Sequence, residues 1–185
     1  VAERFPRLAR SHWPITAGVV LVLYGAVLHY TTLGLPGVPY PDDRFPVGKH
    51  DVARQIEKIL DEYPSSEIDK PLVVTLEFDQ MSSWIGFYRA KLNDARPERL
   101  ERRIPGTSGG HFFDFDSHMY RFWYPVEAET GKTLLVVSDD RSVLESPVII
   151  DGHGGPPGET GDIVYQKNGR PAGHWYYRFQ PAYTP

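Results

Sequence analysis

The stretch His111–Trp123 reads HFFDFDSHMYRFW and crowds two histidines and two aspartates among phenylalanines, a tyrosine and a tryptophan. Carboxylate oxygens and imidazole nitrogens are ligands for divalent cations, and aromatic faces beside acids suit carbohydrate hydroxyls. An extended backbone would put Asp114, Asp116 and His118 on one face, whereas a helix would bring Asp114 to His118 at i,i+4. Neither arrangement matches an established metal signature, and no cysteine is present to complete a soft site. The expectation is therefore structural: the aromatics bury, the acids cap or face water, and no metal is bound.

Other segments offer less chemistry. The glycine-rich DGHGGPPGE (151–159) has no following lysine or clear helix, so it reads as a flexible loop rather than a phosphate cradle. Ser138, Ser142 and Ser146 lack the G-x-S-x-G setting of a hydrolase elbow. Asp139-Asp140 and Asp114/Asp116 are the only acid pairs that merit a glance as a glycosidase couple, and neither declares itself. No cofactor is expected. The formal charge is −4 and no basic stripe appears, so nucleic acid is excluded as a partner class.

The elements that must position these residues begin with a long apolar run. WPITAGVVLVLYGAVLHY (Trp13–Tyr30) lies in a stretch, Trp13 to Pro41, that holds no Asp, Glu, Lys or Arg. Eighteen helical residues reach roughly 27 Å, close to the hydrocarbon thickness of a bilayer. Trp13 and Tyr30 stand where interfacial aromatics belong, and Pro14 suits a first helical turn. The run has neither the polar stripe of a core helix nor the short apolar region and cleavage site of a signal peptide. Arg4, Arg7 and Arg10 against Glu3 make the N-terminal flank +2, which places it in the cytoplasm and the remainder outside. The expected organisation is a basic flank (1–12), a transmembrane helix (13–31), a Pro/Gly-rich linker (32–48) and an exported domain (49–185), in an inner or plasma membrane.

Within that domain, HDVARQIEKILDEY spaces Val52, Ile56, Ile59, Leu60 and Tyr63 as a helix, and PLVVTLEF (71–78) reads as a buried strand. DQMSSWIGFYRAKL follows as a helix that Asp79 caps, with Trp84, Ile85, Tyr88 and Leu92 inward. LERRI (100–104), KTLLVVSDD (132–140) and PVIID (147–151) read as strands, and Asn168-Gly169 as the turn of a terminal hairpin. This order predicts an α/β class, with α+β as the neighbouring possibility: a mixed sheet, flanking helices and a C-terminal hairpin. Ligands in such sheets favour strand carboxyl ends, which singles out Asp79, Gln80 and Ser82. His118, Arg121 and Trp123 are the second set of weak binding candidates.

An apolar helix with a basic flank, then LVVTLEF, SSWIGFYRAKL, SHMYRFWYP, TLLVVSDD and GRPAGHWYYRF, resembles the C-terminal end of bacterial C-type membrane glycosyltransferases related to protein O-mannosyltransferases and aminoarabinose transferases. The resemblance implies a segment of a longer enzyme. A multi-helix membrane core would take sugar from a polyprenyl-phosphate donor, and a periplasmic domain would lie over it. The family's catalytic acid lies in its first exported loop, which nothing here matches. The resemblance therefore implies a non-catalytic segment whose partners are lipid, the membrane core and, in the full-length protein, the donor. The competing class is a membrane-anchored binding or envelope-assembly module without enzymatic activity.

Overall fold

The computed structural model describes residues 6–34, 48–64, 70–76, 79–94, 106–117, 119–167 and 170–185. The chain divides into two compact units, Val1–Val47 and Gly48–Pro185.

The first unit is one helix, α1 (Pro6–Leu33). It starts earlier than the apolar run, so Pro14 lies inside the helix rather than in its first turn. The window His12–Thr31 is long and apolar enough to cross a membrane, and none of it is buried. Its large apolar side chains from Trp13 to Leu28 are 45–73% exposed, whereas a core helix of a soluble protein hides one stripe. Of the linker expected at 32–48, the first two residues belong to α1, and 35–47 lie outside the described residues.

The second unit is a sheet with helices on both faces. Its elements are α2 (Lys49–Glu62), β1 (Leu72–Thr75), α3 (Asp79–Asp94), β2 (Thr107–Ser108), α4 (Tyr120–Trp123), β3 (Leu134–Ser138), α5 (Arg141–Leu144), α6 (Pro147–Ile150), β4 (Gly161–Lys167) and β5 (Arg170–Gln180). Among the described residues the strands form one mixed sheet in the order β2-β1-β3-β5-β4, in which β5 runs against the other four. The α/β architecture is that expected from the residues. β1 and β3 are continuous apolar runs because both their faces are covered. On one face Val73, Leu135, Val137 and Ile163 meet Val52, Ile56 and Leu60 of α2 and Met81 and Ile85 of α3. On the other, Leu72, Val74, Leu134 and Val136 meet Phe112, Phe113, Leu144, Ile149 and Tyr183.

Three expectations change. PVIID is not a strand: Pro147 sits at the start of a short helix, where its missing N–H is harmless, and Ile149 drops into the core. The buried face of α3 is turned from the expected one, running through Met81, Ser82, Ile85, Arg89 and Asn93 while Trp84, Tyr88 and Leu92 are half-buried. The loop 151–159 is stitched down rather than loose: the Gln180 amide donates to the carbonyls of His153 and Gly155, and the N–H groups of Gly155 and Gly158 donate to Pro181 and Phe179. LERRI and the Asn168-Gly169 turn lie outside the described residues, although β4 and β5 pair antiparallel up to Lys167↔Arg170.

A buried ion pair joins α2, α3 and β2. Arg89 Nε donates to Glu57 Oε1 at 2.7 Å, with both side chains at most 4% exposed, and Arg89 Nη1 donates to the Gly106 carbonyl at 2.9 Å and to Thr107 Oγ1 at 3.0 Å. Breaking a buried pair by removing one member costs about 3–5 kcal/mol. Arg89→Met is expected to lower unfolding free energy by about that much, and Glu57→Leu in the same chain to recover most of it. Urea melts of the two single variants and the double variant check this; equal and additive losses would show that the pair is not coupled.

Candidate functional site

The stretch 111–123 is neither one strand nor one helix. Gly110–Phe113 form a 3-10 turn, Asp114 follows in a left-handed conformation at φ 62°, and the chain re-enters helix at Tyr120. Two glycines make this possible. A side chain at Gly109 would collide with Ser117, and one at Gly110 with Phe115 and the Thr75 carbonyl at the end of β1. With the backbone pressed onto the sheet, Phe112 and Phe113 fall into the core against Tyr183, each ring contributing about 1.5–3 kcal/mol by leaving water. The Tyr183 hydroxyl donates to the Phe112 carbonyl at 2.6 Å, and burial, aided by Asp114 and Glu127, pushes that phenol up to about 12.

What remains outside is an open cleft of ≈ 400 Å³ lined by His111, Asp114, Phe115, Asp116, Arg121 and Val126. His111 is fixed from both sides. Its Nε2 lies 2.8 Å from the Tyr124 carbonyl, which can only accept, so Nε2 carries the proton and Nδ1 accepts from the Ser117 hydroxyl at 2.8 Å. Burial lowers the imidazole's pKa, the Tyr124 carbonyl opposes that shift, and nearby Arg121 adds to it. Ser117 is 1% exposed, so this serine–histidine contact braces the wall and presents no nucleophile to a substrate. Arg121 reaches Asp116 at 3.8 Å, both exposed, a pair worth at most about 1 kcal/mol. Two carboxylates, a guanidinium and the half-buried Phe115 ring form a surface for hydrogen-bonding a hydroxylated ligand. No group of three acids or histidines that could hold a metal ion occurs among the described residues.

The first set of candidates stands at a second place. The chain leaves β1 toward α3 on one face and leaves β3 toward α5 on the other, which makes the carboxyl ends of β1 and β3 a topological switch point. Asp79 opens α3 there and Gln80 is exposed. Ser82 is buried at 1% and hydrogen-bonds Thr75 Oγ1 and the Ser108 carbonyl, so it ties helix to sheet and faces no solvent. Asp140 is engaged too: its carboxylate caps α5 by accepting from the Ser142 hydroxyl and N–H, which holds its pKa below the usual range. The two places are neighbours, since Ser83 Oγ lies 3.2 Å from the Tyr120 hydroxyl. Of the second set, Arg121 lines the cleft, Trp123 is 60% exposed rather than buried, and His118 lies outside the described residues.

Sequence reasoning passed over Asp162, His174 and Tyr176. His174 Nε2 is 2.7 Å from Asp162 Oδ1, the Tyr176 hydroxyl is 3.4 Å from Nδ1, and the two rings stack at 4.4 Å. A bulge creates this cluster. Pairing runs Gln166↔Pro171 and then Tyr165↔Gly173, so Ala172 is the extra residue and everything beyond shifts by one. Without that shift Asp162 would oppose Trp175 and His174 would point to the other face.

Fold and cleft together define an α/β domain with a mixed sheet, in a chain whose N-terminal helix is long and apolar enough to cross a membrane. No protein-family model, curated protein or solved structure matches the chain.

The state of His111 sets a pH dependence. Its folded pKa lies below the ordinary 6.5, so below that pH the unfolded chain takes up a proton that the folded chain refuses, and stability falls toward acid. Melting temperature is expected to drop more steeply from about pH 7.5 to about pH 5.5 in the wild type than in His111→Gln. Parallel profiles would remove His111 from the account.

Proposed function

We propose that the chain is the extracytoplasmic C-terminal part of a polyprenyl-phosphate-sugar-dependent membrane glycosyltransferase, and that Gly48–Pro185 shapes acceptor access without supplying a catalytic residue. α1 spans the membrane with its arginine-rich end in the cytoplasm. The observation that carries this reading is a coincidence in one segment: SHMYRFWYP, part of the resemblance, supplies the Arg121 wall of the cleft. A hydroxyl-bearing acceptor is the ligand class that an arginine and acids beside a ring suit.

The test has two arms. In the parent reading frame, the sequence upstream of Val1 is expected to carry many apolar helices and an early exported acidic pair; a frame without them sinks the glycosyltransferase reading. In the full-length enzyme, Arg121→Ala is expected to raise the acceptor KM by about three- to tenfold and leave kcat nearly unchanged. An unchanged KM would separate the cleft from acceptor binding while leaving the enzyme class standing.

Topology is read separately. A cysteine at Lys58, 75% exposed on α2, is expected to react with a membrane-impermeant maleimide added outside intact cells or spheroplasts. Reaction only after the cytoplasmic side is opened would reverse the orientation.

A further inference from the structure

Met119, Phe122 and Trp123 stand at i, i+3 and i+4 around α4 and are 59%, 77% and 60% exposed. That spacing puts all three on one side of the turn. Tyr120, between them in sequence, packs edge-on to Trp123 and reaches Ser83 of α3 with its hydroxyl. One helical turn beyond Ser83 on the same side of α3 is Phe87, itself 62% exposed. A domain with a full core has no internal need for three large apolar side chains in water on one turn, with a fourth on the neighbouring helix, and such exposure marks a contact surface.

The chain indicates what covers it. α1 carries the only helix window among the described residues that is long and apolar enough to cross a membrane, and fifteen residues separate α1 from α2. Those residues reach at most about 50 Å, so the domain cannot leave the neighbourhood of whatever surface holds α1. Tethering of that kind supplies a millimolar effective concentration, at which a contact too weak to act alone is populated. The side chains fit the location. Tryptophan, phenylalanine and methionine beside an arginine are the composition of an interfacial anchor, whose rings enter the boundary while the charge stays in water. One turn of helix plus one phenylalanine is too small for a protein interface, which needs about 800 Å² on each partner.

We infer that the face made by Met119, Phe122 and Trp123 docks on the lipid surface to which α1 tethers the domain. Insertion of rings drives the contact, not charge. Residues 1–47 carry four arginines against three acids, +1, so Gly48–Pro185 holds −5 of the chain's −4 and an anionic leaflet does not attract it. The inference does not depend on the glycosyltransferase reading, since an anchored binding module would dock in the same way.

The sequence has no cysteine, so one introduced cysteine is a unique label site. The full chain with Met119→Cys, carrying an NBD fluorophore, would be reconstituted in phosphatidylcholine vesicles with and without shallow brominated lipid. Lys58→Cys serves as the reference position. The label at 119 is expected to shift blue, to be quenched by brominated lipid and to be shielded from aqueous iodide, while the label at 58 shows none of these. Adding phosphatidylserine is expected to change little. Phe122→Ser with Trp123→Ser in the same chain is expected to reduce the docked-to-free ratio by at least about tenfold with an unchanged melting curve, because both residues are exposed. Identical behaviour of the two labels overturns the proposal. So does shielding from iodide without quenching by brominated lipid, which would mean that a protein, such as a second copy of the chain, covers the face.

Discussion

One buried charge pair sets the frame in which the rest of the second unit, Gly48–Pro185, is built. Arg89 cannot lie at 3% exposure without a counter-charge, and Glu57 at 2% has the same need, so α2 and α3 must meet where these two residues meet. The remaining donors on Nη1 reach Gly106 and Thr107, which places β2, only two residues long, at the edge of the sheet beside β1. The connection continues past the strand. Gly106 has no room for a side chain because the Tyr124 hydroxyl stands there, and the carbonyl of Tyr124 accepts a hydrogen bond from His111 Nε2–H. A continuous line of contacts thus runs from a helix on one face of the sheet to the wall of the cleft on the other.

That line explains why the cleft has its composition. Everything the segment 110–117 can bury, it buries: Phe112 and Phe113 in the core and Ser117 against His111. The groups left outward are those that cannot be buried singly, two carboxylates and a guanidinium, with Phe115 half-covered as a floor. Asp114 accepts a left-handed backbone to make the turn, which aspartate tolerates better than most side chains do. The chemistry of the cleft is in this sense a residue of how the core was filled. Read as a strand, the same residues would have set Asp114, Asp116 and His118 on one face; instead Asp114 turns left-handed, and the two carboxylates line the cleft.

Periodicity carried the fold class and most element positions. β1 and β3 announce themselves as short runs of Leu and Val bounded by polar residues, and α2 by its apolar stripe. It failed where a polar residue belongs to the buried face. Glu57 lies four residues after Ala53 and three before Leu60, and Arg89 four after Ile85, yet a charged residue at such a position reads as a boundary of the stripe until its partner is known. Glycine pairs were visible at 109–110, but a sequence does not say what approaches them. The Asp162–His174 contact was hidden for a sharper reason: a two-residue hairpin turn predicts the wrong facing, and only the extra residue Ala172 corrects it. Exposure at Phe122 and Trp123 was likewise unreadable, because aromatics beside buried phenylalanines look like core.

The place of β5 in the sheet has a consequence for how the domain comes into being. It is the last strand in the chain but not at an edge: it lies between β3 and β4, and Leu134 through Ser138 find their second set of backbone partners only in Tyr176 through Gln180. The residues just past it close the other face, where Tyr183 receives Phe112 and Phe113. A chain delivered N-terminus first therefore carries a half-sheet with β3 open along its length until Tyr176–Gln180 emerge. Assembly is governed by the arrival of β5, and a nascent chain halted short of it would expose an apolar strand edge along β3.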